Sequence, residues 1–431
     1  MAFLQEAENE ATVETSSSRL ASAHTIVTML LCVLFAIMYL DRVNISAAAS
    51  SIKAHFGLSN AELGWTFSAF SWAYLGSVLF GGWGARRYGA RLTLLVCVVV
   101  VGLGTIATGI VSGLITLFAA RLAVGLGEGP AFPAATQAMR NWYPADRFGY
   151  IQGITHSASR LGAALAPPIV AVLILWGDWR VSFVICGVAA LIWAACWWYF
   201  FQDDPRNHPR VDLKSLQGLS LSLPDKRAPM PLGIVTRQMF PATLVMFAYG
   251  WTYWVFVSWL PLYFVNKHGL DLKNSAILTG ALFFAGLIGN TVGGVTSDAI
   301  LRRTGRNRLA RCSVIAFSLV GSAGFLIPTM LIGNLYAVMP LLAGAMFCLE
   351  LTVAPMYAIS MDMAREYAGL ASSYVIMGVG LSGIVSPVVF GWLIDRTGNW
   401  NVPFAAAVSI LLGGALAVVW LRPDKKLIIR E

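Results

Sequence analysis

Apolar segments close to 20 residues long recur along the whole chain, and their length constrains the fold more than any other feature. A helix of about 20 apolar residues crosses the hydrocarbon core of a bilayer, so each segment is predicted to span a membrane. Only 12% of the 431 residues are charged, whereas soluble proteins carry about 25%. The sequence therefore predicts an all-α membrane protein, and the formal net charge of +9 does not indicate a nucleic-acid partner.

We predict twelve transmembrane helices in two six-helix bundles. The predicted spans cover residues 25–51, 62–83, 92–111, 114–139, 149–176, 180–201, 240–265, 276–300, 312–332, 336–361, 369–394 and 402–421. Polar stretches divide the chain into a disordered cytoplasmic tail at 1–23, an N-terminal bundle at 24–201, a proline-containing cytoplasmic linker at 202–239, a C-terminal bundle at 240–421 and a cytoplasmic tail at 422–431.

Lysine and arginine are concentrated in alternate loops. The loops that are basic include those around Arg86 and Arg91, around Arg140, and around Arg302 and Arg311. Cytoplasmic loops carry such an excess, so both termini are predicted to face the cytoplasm. We expect a multi-pass protein of the inner (plasma) membrane that contacts the lipid bilayer and is a monomer.

The two halves of the chain have similar sequence patterns in their basic loops. The second span is followed by Gly82-x-x-x-Arg86-Arg87-x-Gly89-x-Arg91, and the eighth span is followed by Gly294-x-x-x-Asp298 and then Arg302. Repeats of this kind indicate two bundles that face each other across a central cavity. The predicted gating residues are Arg87, Arg91, Asp298 and Arg302.

Opposite charges lie in the middle of the first span, in Tyr39-Leu40-Asp41-Arg42-Val43-Asn44. A charge at mid-membrane costs about 2.5–3.5 kcal/mol, and such residues mark transport sites. Tyr39 and Arg42 share one helix face, whereas Asp41 is rotated away from it. We therefore interpret Asp41 and Arg42 as the start of a transport site.

Other predicted spans also contain charged side chains. Arg121 and Glu128 share one face of the fourth span, with Arg121 nearer its end; His156 and Arg160 lie one turn apart in the fifth; and Glu350 lies in the tenth. When all six groups are ionised, the three positive charges equal the three negative charges; the groups are Arg42, Arg121, Arg160, Asp41, Glu128 and Glu350. Pairing of opposite charges offsets much of the cost of inserting them into the membrane. Protonation of one carboxylate would leave the cavity positive, so that a proton and an anion would favour each other's binding.

Three strings in the N-terminal half are the most distinctive: Asp41-Arg42-Val43-Asn44, Phe67-Ser68-Ala69-Phe70-Ser71-Trp72-Ala73-Tyr74 and Gly127-Glu128-Gly129-Pro130-Ala131-Phe132-Pro133. They resemble those of the anion:cation symporter family of the major facilitator superfamily. The family includes bacterial galactonate and hexuronate proton symporters and, more distantly, sialin and the vesicular glutamate transporters. The resemblance covers about residues 24–421 and implies the major facilitator fold.

The resemblance implies that Asp41 and Glu128 are protonation sites and that Arg42 and Tyr74 bind substrate, with Arg121 interacting with the carboxylates or the substrate. The full predicted proton-coupling set is Asp41, Glu128 and Glu350. The predicted substrate-binding residues are Tyr39, Arg42, Asn44, Tyr74, Arg121, His156, Arg160 and Tyr253. For Arg160 the residues alone leave two interpretations, a fork onto a substrate carboxylate or a structural partner for Glu128.

Three positions depart from the family pattern. Arg86 stands where the loop normally has Asp, which leaves Asp298 as the acidic residue expected to contact the opposing bundle. Arg160 and Glu350 stand where galactonate transporters have neutral amides. These two added charges suggest a different substrate, with another carboxylate.

The resulting hypothesis is a proton symporter that imports a small organic anion, above all a sugar acid such as a hexonate or hexuronate, by alternating access. An anion exchanger, a uniporter, an importer of an aromatic or dicarboxylic acid, and a transporter-like receptor remain as alternatives. The chain contains no HExxH, GxSxG or Walker motif, so an enzyme is not expected. We expect neither a metal nor a cofactor, with the proton as coupling ion.

Overall fold

The computed structural model describes residues 2–143, 148–208, 232–363 and 368–424. All regular structure in these ranges is helical, which confirms the predicted class. The α-helices are α1 (Ala2–Ala47), α2 (Ala49–Phe56), α3 (Asn60–Gly109), α4 (Leu114–Trp142), α5 (Phe148–Trp176), α6 (Trp179–Phe200), α7 (Leu232–His268), α8 (Leu272–Thr304), α9 (Asn307–Leu331), α10 (Leu335–Glu350), α11 (Val353–Met363), α12 (Ala368–Thr397) and α13 (Asn401–Ala417). Most of the predicted linker and of the C-terminal tail lies outside the described residues.

Eleven helical stretches in the described ranges are long and apolar enough to cross a membrane, whereas the sequence predicted twelve. The difference lies in α3, which is 50 residues long. A straight helix of that length would measure about 75 Å, more than twice the hydrocarbon thickness of a bilayer. Gly89 interrupts it with φ 86° and ψ 157°, a left-handed conformation that favours glycine.

The two arms of α3 lie side by side against α4. A Cβ atom at Gly125 would lie 2.3 Å from the carbonyl oxygen of Phe70, and one at Gly127 would lie 2.6 Å from that of Cys97. Both arms therefore reach the same level of α4, because the chain turns back at Gly89. This hairpin holds the predicted spans 62–83 and 92–111. The carboxylate of Asp203 accepts the backbone N–H of Arg91 at 3.0 Å just after the turn.

The helices form the two predicted bundles, α1–α6 and α7–α13. The bundles meet where α1 contacts α7, α3 contacts α12 and α5 contacts α8. Small residues allow close approach at these contacts; a Cβ atom at Gly280 of α8 would lie 2.7 Å from the carbonyl oxygen of Ala164 in α5. Helix α1 begins within the segment predicted to be a disordered tail, and its candidate membrane span is Ala23–Ala47.

The bundles are closed at the end of the molecule opposite the Gly89 turn. Asp395 of α12 accepts the backbone N–H groups of Asn60 at 3.1 Å and Ala61 at 2.7 Å. These are the first residues of α3, so a carboxylate from one bundle caps a helix of the other. One turn before Asp395, a Cβ atom at Gly391 would lie 2.2 Å from the carbonyl oxygen of Asn60.

Replacing Gly391 with Ala should therefore destabilise the closed end. The added methyl group would overlap the Asn60 backbone, and overpacking of this kind costs about 1–3 kcal/mol. We expect a lower unfolding midpoint for the purified protein in detergent. Gly413→Ala is the matched control, because a Cβ atom there meets nothing within 4 Å; equal midpoints for the two variants would contradict the close packing of α3 on α12.

Candidate functional site

The first ion pair of the site joins α1 to α4. Arg42 Nε donates to Glu128 Oε2 at 2.6 Å. The Glu128 side chain is fully buried and Arg42 is 11% exposed. Among the residues that the structure describes, Arg42 Nη2 and Glu128 Oε1 are buried without a hydrogen-bond partner. Arg42 and Glu128 therefore each retain one polar atom that can form a further hydrogen bond in addition to their ion pair.

The second pair is more completely held. Arg121 Nη1 donates to Asp41 Oδ2 at 3.2 Å, and Thr105 Oγ1 donates to Asp41 Oδ1 at 2.7 Å. The side chains of Asp41 and Arg121 are 3% and 2% exposed. Arg121 thus lies inside the bundle rather than extending its side chain to the membrane surface. Because α1, α4 and the second arm of α3 each supply one member, this cluster also fixes the packing of the N-terminal bundle.

The third pair crosses between the bundles. Arg160 Nη1 of α5 donates to Glu350 Oε1 at 2.9 Å, and the Tyr249 hydroxyl of α7 donates to the same oxygen at 2.9 Å. Glu350 is the last residue of α10, where the helix breaks before α11. The break has a local cause, since Pro355 has no N–H group for the carbonyl of Leu351.

The structure thus matches each intramembrane arginine considered above with one carboxylate. The net charge of the three pairs is zero when all six groups are ionised, as the balance in the sequence suggests. The structural partner of Arg160 is Glu350, so the interpretation of Arg160 as a partner for Glu128 is wrong in this conformation. The sequence places Glu128 on the same helix face as Arg121 and Glu350 within the tenth span, but only the packing of α5 against the C-terminal bundle selects between the two carboxylates.

Aromatic rings surround the two partly exposed arginines. The Arg42 guanidinium lies 4.8 Å from the Tyr39 ring, 4.9 Å from Tyr74 and 5.1 Å from Phe70. Rings at these distances stabilise a cation. The Arg160 guanidinium lies 5.7 Å from the ring of Tyr253. Predicted substrate-binding residues from α1, α3, α5 and α7 are therefore brought together between the bundles.

Two predicted substrate-binding residues have different surroundings. Asn44 is fully buried, and its Oδ1 accepts the Ser182 hydroxyl at 3.0 Å, which is a contact between α1 and α6. His156 is exposed, one turn before Arg160 on α5. Its ring stacks on Phe35 at 6.2 Å and tilts against Phe132 at 5.6 Å. The substrate-binding roles of both residues stay predictions.

Two of the four predicted gating residues, Arg91 and Asp298, have partners within their own half of the chain. Arg91 Nη1 donates to Gln202 at 3.1 Å, and Asp298 accepts Arg311 Nη1 of α9 at 2.6 Å. The expected contact of Asp298 with the opposing bundle is therefore replaced by one within the C-terminal bundle. Arg87 and Arg302 are exposed. The described hydrogen bonds and close approaches between α3 and α12 lie between Asn60 and Leu75, away from the loop that contains Arg87 and Arg91.

Three neighbours of the charged groups were missing from the predicted site. Thr105 bonds Asp41, Tyr249 bonds Glu350, and Phe70 lies against both Arg42 and Arg121. Tyr249 and Phe70 are aromatic residues one turn from predicted site residues, at i−4 from Tyr253 and Tyr74, and helical spacing could have indicated them. Thr105 is a single hydroxyl in an apolar span and gives no such signal.

Comparison with known proteins places this arrangement in a family. The model of the Major Facilitator Superfamily matches residues 31–365. A probable sulfoacetate transporter from Cupriavidus necator (strain H16) is 40% identical, over 94% of this chain and 95% of the relative. The hexuronate transporter of Bacillus subtilis (strain 168) is 29% identical, over 90% and 92%. The D-galactonate transporter of Escherichia coli O6:H1 is 27% identical, over 90% and 93%.

Solved structures show the same fold at low sequence identity. A bacterial homologue of the human lysosomal transporter Spinster, described as inward-facing and unoccupied, has a TM-score of 0.71 with 18% identity, over 93% of this chain and 95% of the other. A D-xylose–proton symporter has a TM-score of 0.73 with 16% identity, over 93% and 97%. The curated relatives are transporters rather than enzymes and match the anion:cation symporter group. This chain, a multi-pass membrane transporter, belongs to the Major Facilitator Superfamily.

Proposed function

We propose that this transporter imports a small organic anion by proton symport, with the two bundles alternating access to a site near the middle of the membrane. The curated relatives support the organic-anion class, since their names specify sulfoacetate, hexuronate and D-galactonate. We further propose that both termini face the cytoplasm at the inner membrane, as the distribution of basic residues indicates.

The contact that carries this proposal is the buried pair of Arg42 and Glu128. A proton on Glu128 removes its charge and leaves Arg42 without a counter-ion. A substrate carboxylate or sulfonate can then take the place of Glu128, because guanidinium groups bind such anions in a bidentate fork. When the anion leaves, Arg42 again favours the ionised carboxylate, and the proton is released. Proton and anion therefore travel together.

Among the three carboxylates, Glu128 fits this exchange best. Asp41 accepts two described donors, from Thr105 and Arg121, and Glu350 accepts two, from Tyr249 and Arg160. Within the described parts of the chain, Glu128 accepts one donor, from the partly exposed Arg42, and its second oxygen has no partner. Releasing Arg42 from Glu128 therefore breaks the fewest contacts.

Two substrate classes can be compared directly in one transport assay. A sugar acid is supported by the hexuronate and galactonate relatives, and a small sulfonated acid by the relative with 40% identity. Purified protein in liposomes, with an inside-alkaline pH gradient, should accumulate one class, and external protons should disappear as the anion enters. Dissipating the gradient with a protonophore should stop the accumulation.

The same experiment tests the alternatives of exchange and uniport. An exchanger would take up labelled anion only into liposomes preloaded with anion. A uniporter would equilibrate the anion without consuming external protons. Either outcome would overturn symport while leaving organic-anion transport in place.

A further inference from the structure

The ion pair between Arg160 and Glu350 joins the two bundles within the membrane. Arg160 belongs to α5 in the N-terminal bundle, and Glu350 belongs to α10 in the C-terminal bundle. The two bundles must move relative to each other during alternating access. This strong contact between charged groups spans the moving interface, so it must change when the bundles move. The exchange at Arg42 does not involve it.

Glu350 is the fixed member of this pair. Its side chain is fully buried, and a Cβ atom at Gly286 of α8 would lie 3.1 Å from its Cγ. Tyr249 supplies a second donor to Oε1, while Oε2 is buried without a partner. Arg160 is 15% exposed. The guanidinium is thus the member that can change partner, while Tyr249 continues to satisfy the carboxyl group.

Arg160 and Arg42 lie along one aromatic wall. Phe70, which contacts Arg42, lies 6.1 Å from Trp254, and Trp254 lies 6.0 Å from Tyr253, which contacts Arg160. Both guanidinium groups are partly exposed between the bundles, in contrast to Arg121 at 2%. Two arginines are therefore available to one substrate.

We propose that the site is built for a two-headed anion, with one anionic group bound by Arg42 in place of Glu128 and the other bound by Arg160 in place of Glu350. This inference rests on the proposed function, because it extends the exchange at Arg42 to a second pair. Binding of the second anionic group separates Arg160 from Glu350 and so releases the contact between the bundles. A one-headed anion fills the Arg42 position and leaves the second pair closed.

The charges balance under this scheme. The empty site is neutral, and a two-headed anion brings two negative charges. One proton on Glu128 and one on Glu350 restore neutrality. Each of these carboxyl groups takes up its proton when its arginine binds the substrate instead. A one-headed anion requires one proton, on Glu128.

Binding by the purified full-length protein tests this proposal with matched ligand pairs. Glucarate and gluconate are sugar acids of equal length with two and one anionic groups. Sulfoacetate and methanesulfonate, small sulfonates with two and one anionic groups, form a second pair. We expect the wild type to bind the two-headed member of at least one pair more tightly by about tenfold to a hundredfold, the usual effect of hydrogen bonds to a charged group. The double variant Arg160→Gln/Glu350→Gln should lose this preference, so that it binds the two members of a pair with affinities within about twofold of each other.

The double variant leaves no uncompensated buried charge, which protects folding, and the substituted amide at position 350 still offers an oxygen to Tyr249. If the double variant lost affinity equally for both members of a pair, or kept the preference for the two-headed member, the proposal would be overturned. A wild type that binds both members of each pair equally would also overturn it. Binding is measured at one fixed pH and without a pH gradient, so the two failures are distinguishable: failure of symport in liposomes would not remove a two-headed preference, and loss of that preference would leave symport intact.

Discussion

Glu128→Gln should abolish proton-driven accumulation of a one-headed anion, which is carried with a single proton, while the variant still binds and exchanges it. Gln has the shape of a protonated Glu but cannot release a proton. It leaves Arg42 free for the anion at every pH, so binding should lose most of its pH dependence. A gradient of one pH unit supplies about 1.36 kcal/mol per proton and drives about tenfold accumulation in the wild type. The variant should reach an inside-to-outside ratio of about one.

Liposomes containing the variant separate coupling from transport itself. Counterflow of labelled anion into preloaded liposomes should proceed without a pH gradient, which shows that the bundles still alternate. Glu62→Gln is the matched control, because Glu62 caps α3 by accepting the Ser59 N–H at 2.8 Å, and Gln retains such an acceptor. Accumulation by Glu128→Gln at the wild-type level would move the coupling role to another carboxylate, such as Asp41.

Arg42→Ala should abolish binding of carboxylate and sulfonate ligands. The substitution removes the donor that now contacts Glu128 at 2.6 Å and that the proposed exchange transfers to the substrate. Hydrogen bonds to charged groups contribute about 1.5–3 kcal/mol, so affinity should fall by at least about tenfold. Titration calorimetry with the substrate identified in the liposome assay measures the loss directly.

Removal of Arg42 alone also leaves Glu128 buried without its partner, which typically costs about 3–5 kcal/mol of stability. The double variant Arg42→Ala/Glu128→Gln removes that difficulty, and it should fold and still fail to bind. Arg206→Ala is the control for loss of an arginine, since Arg206 is 54% exposed and pairs with Asp204 after α6. Normal affinity in the double variant would exclude Arg42 from the site.

The sequence is most informative in α1 and α4, which supply Arg42 and Glu128. The mid-span position of Asp41 and Arg42 was visible from the length of the apolar segment alone. Glu128 and Arg121 were placed on one face by helical spacing, and the structure shows both as pairs with the α1 charges. Here local sequence was sufficient to name the participants, because intramembrane charge is rare and each instance requires a reason.

The C-terminal half shows the opposite case. Glu350 was visible as a lone carboxylate in its span, but nothing in its neighbourhood in the sequence indicated Arg160 or Tyr249 as its partners. The role expected for Asp298 likewise depended on which loops approach each other. In the structure Arg311 binds it within the same bundle.

The sequence by itself determined the all-helical membrane class, the two halves and the identities of the six balancing charges, because hydrophobic length and charge density act locally along the chain. The tertiary structure alone decided the pairing of those charges, the reversal of α3 at Gly89 and the closed end at Asp395. Helical periodicity specifies the face on which a side chain lies. The neighbour that this face meets depends on contacts between helices far apart in the chain, such as α5 and α10, and only the folded packing of the two bundles sets those contacts.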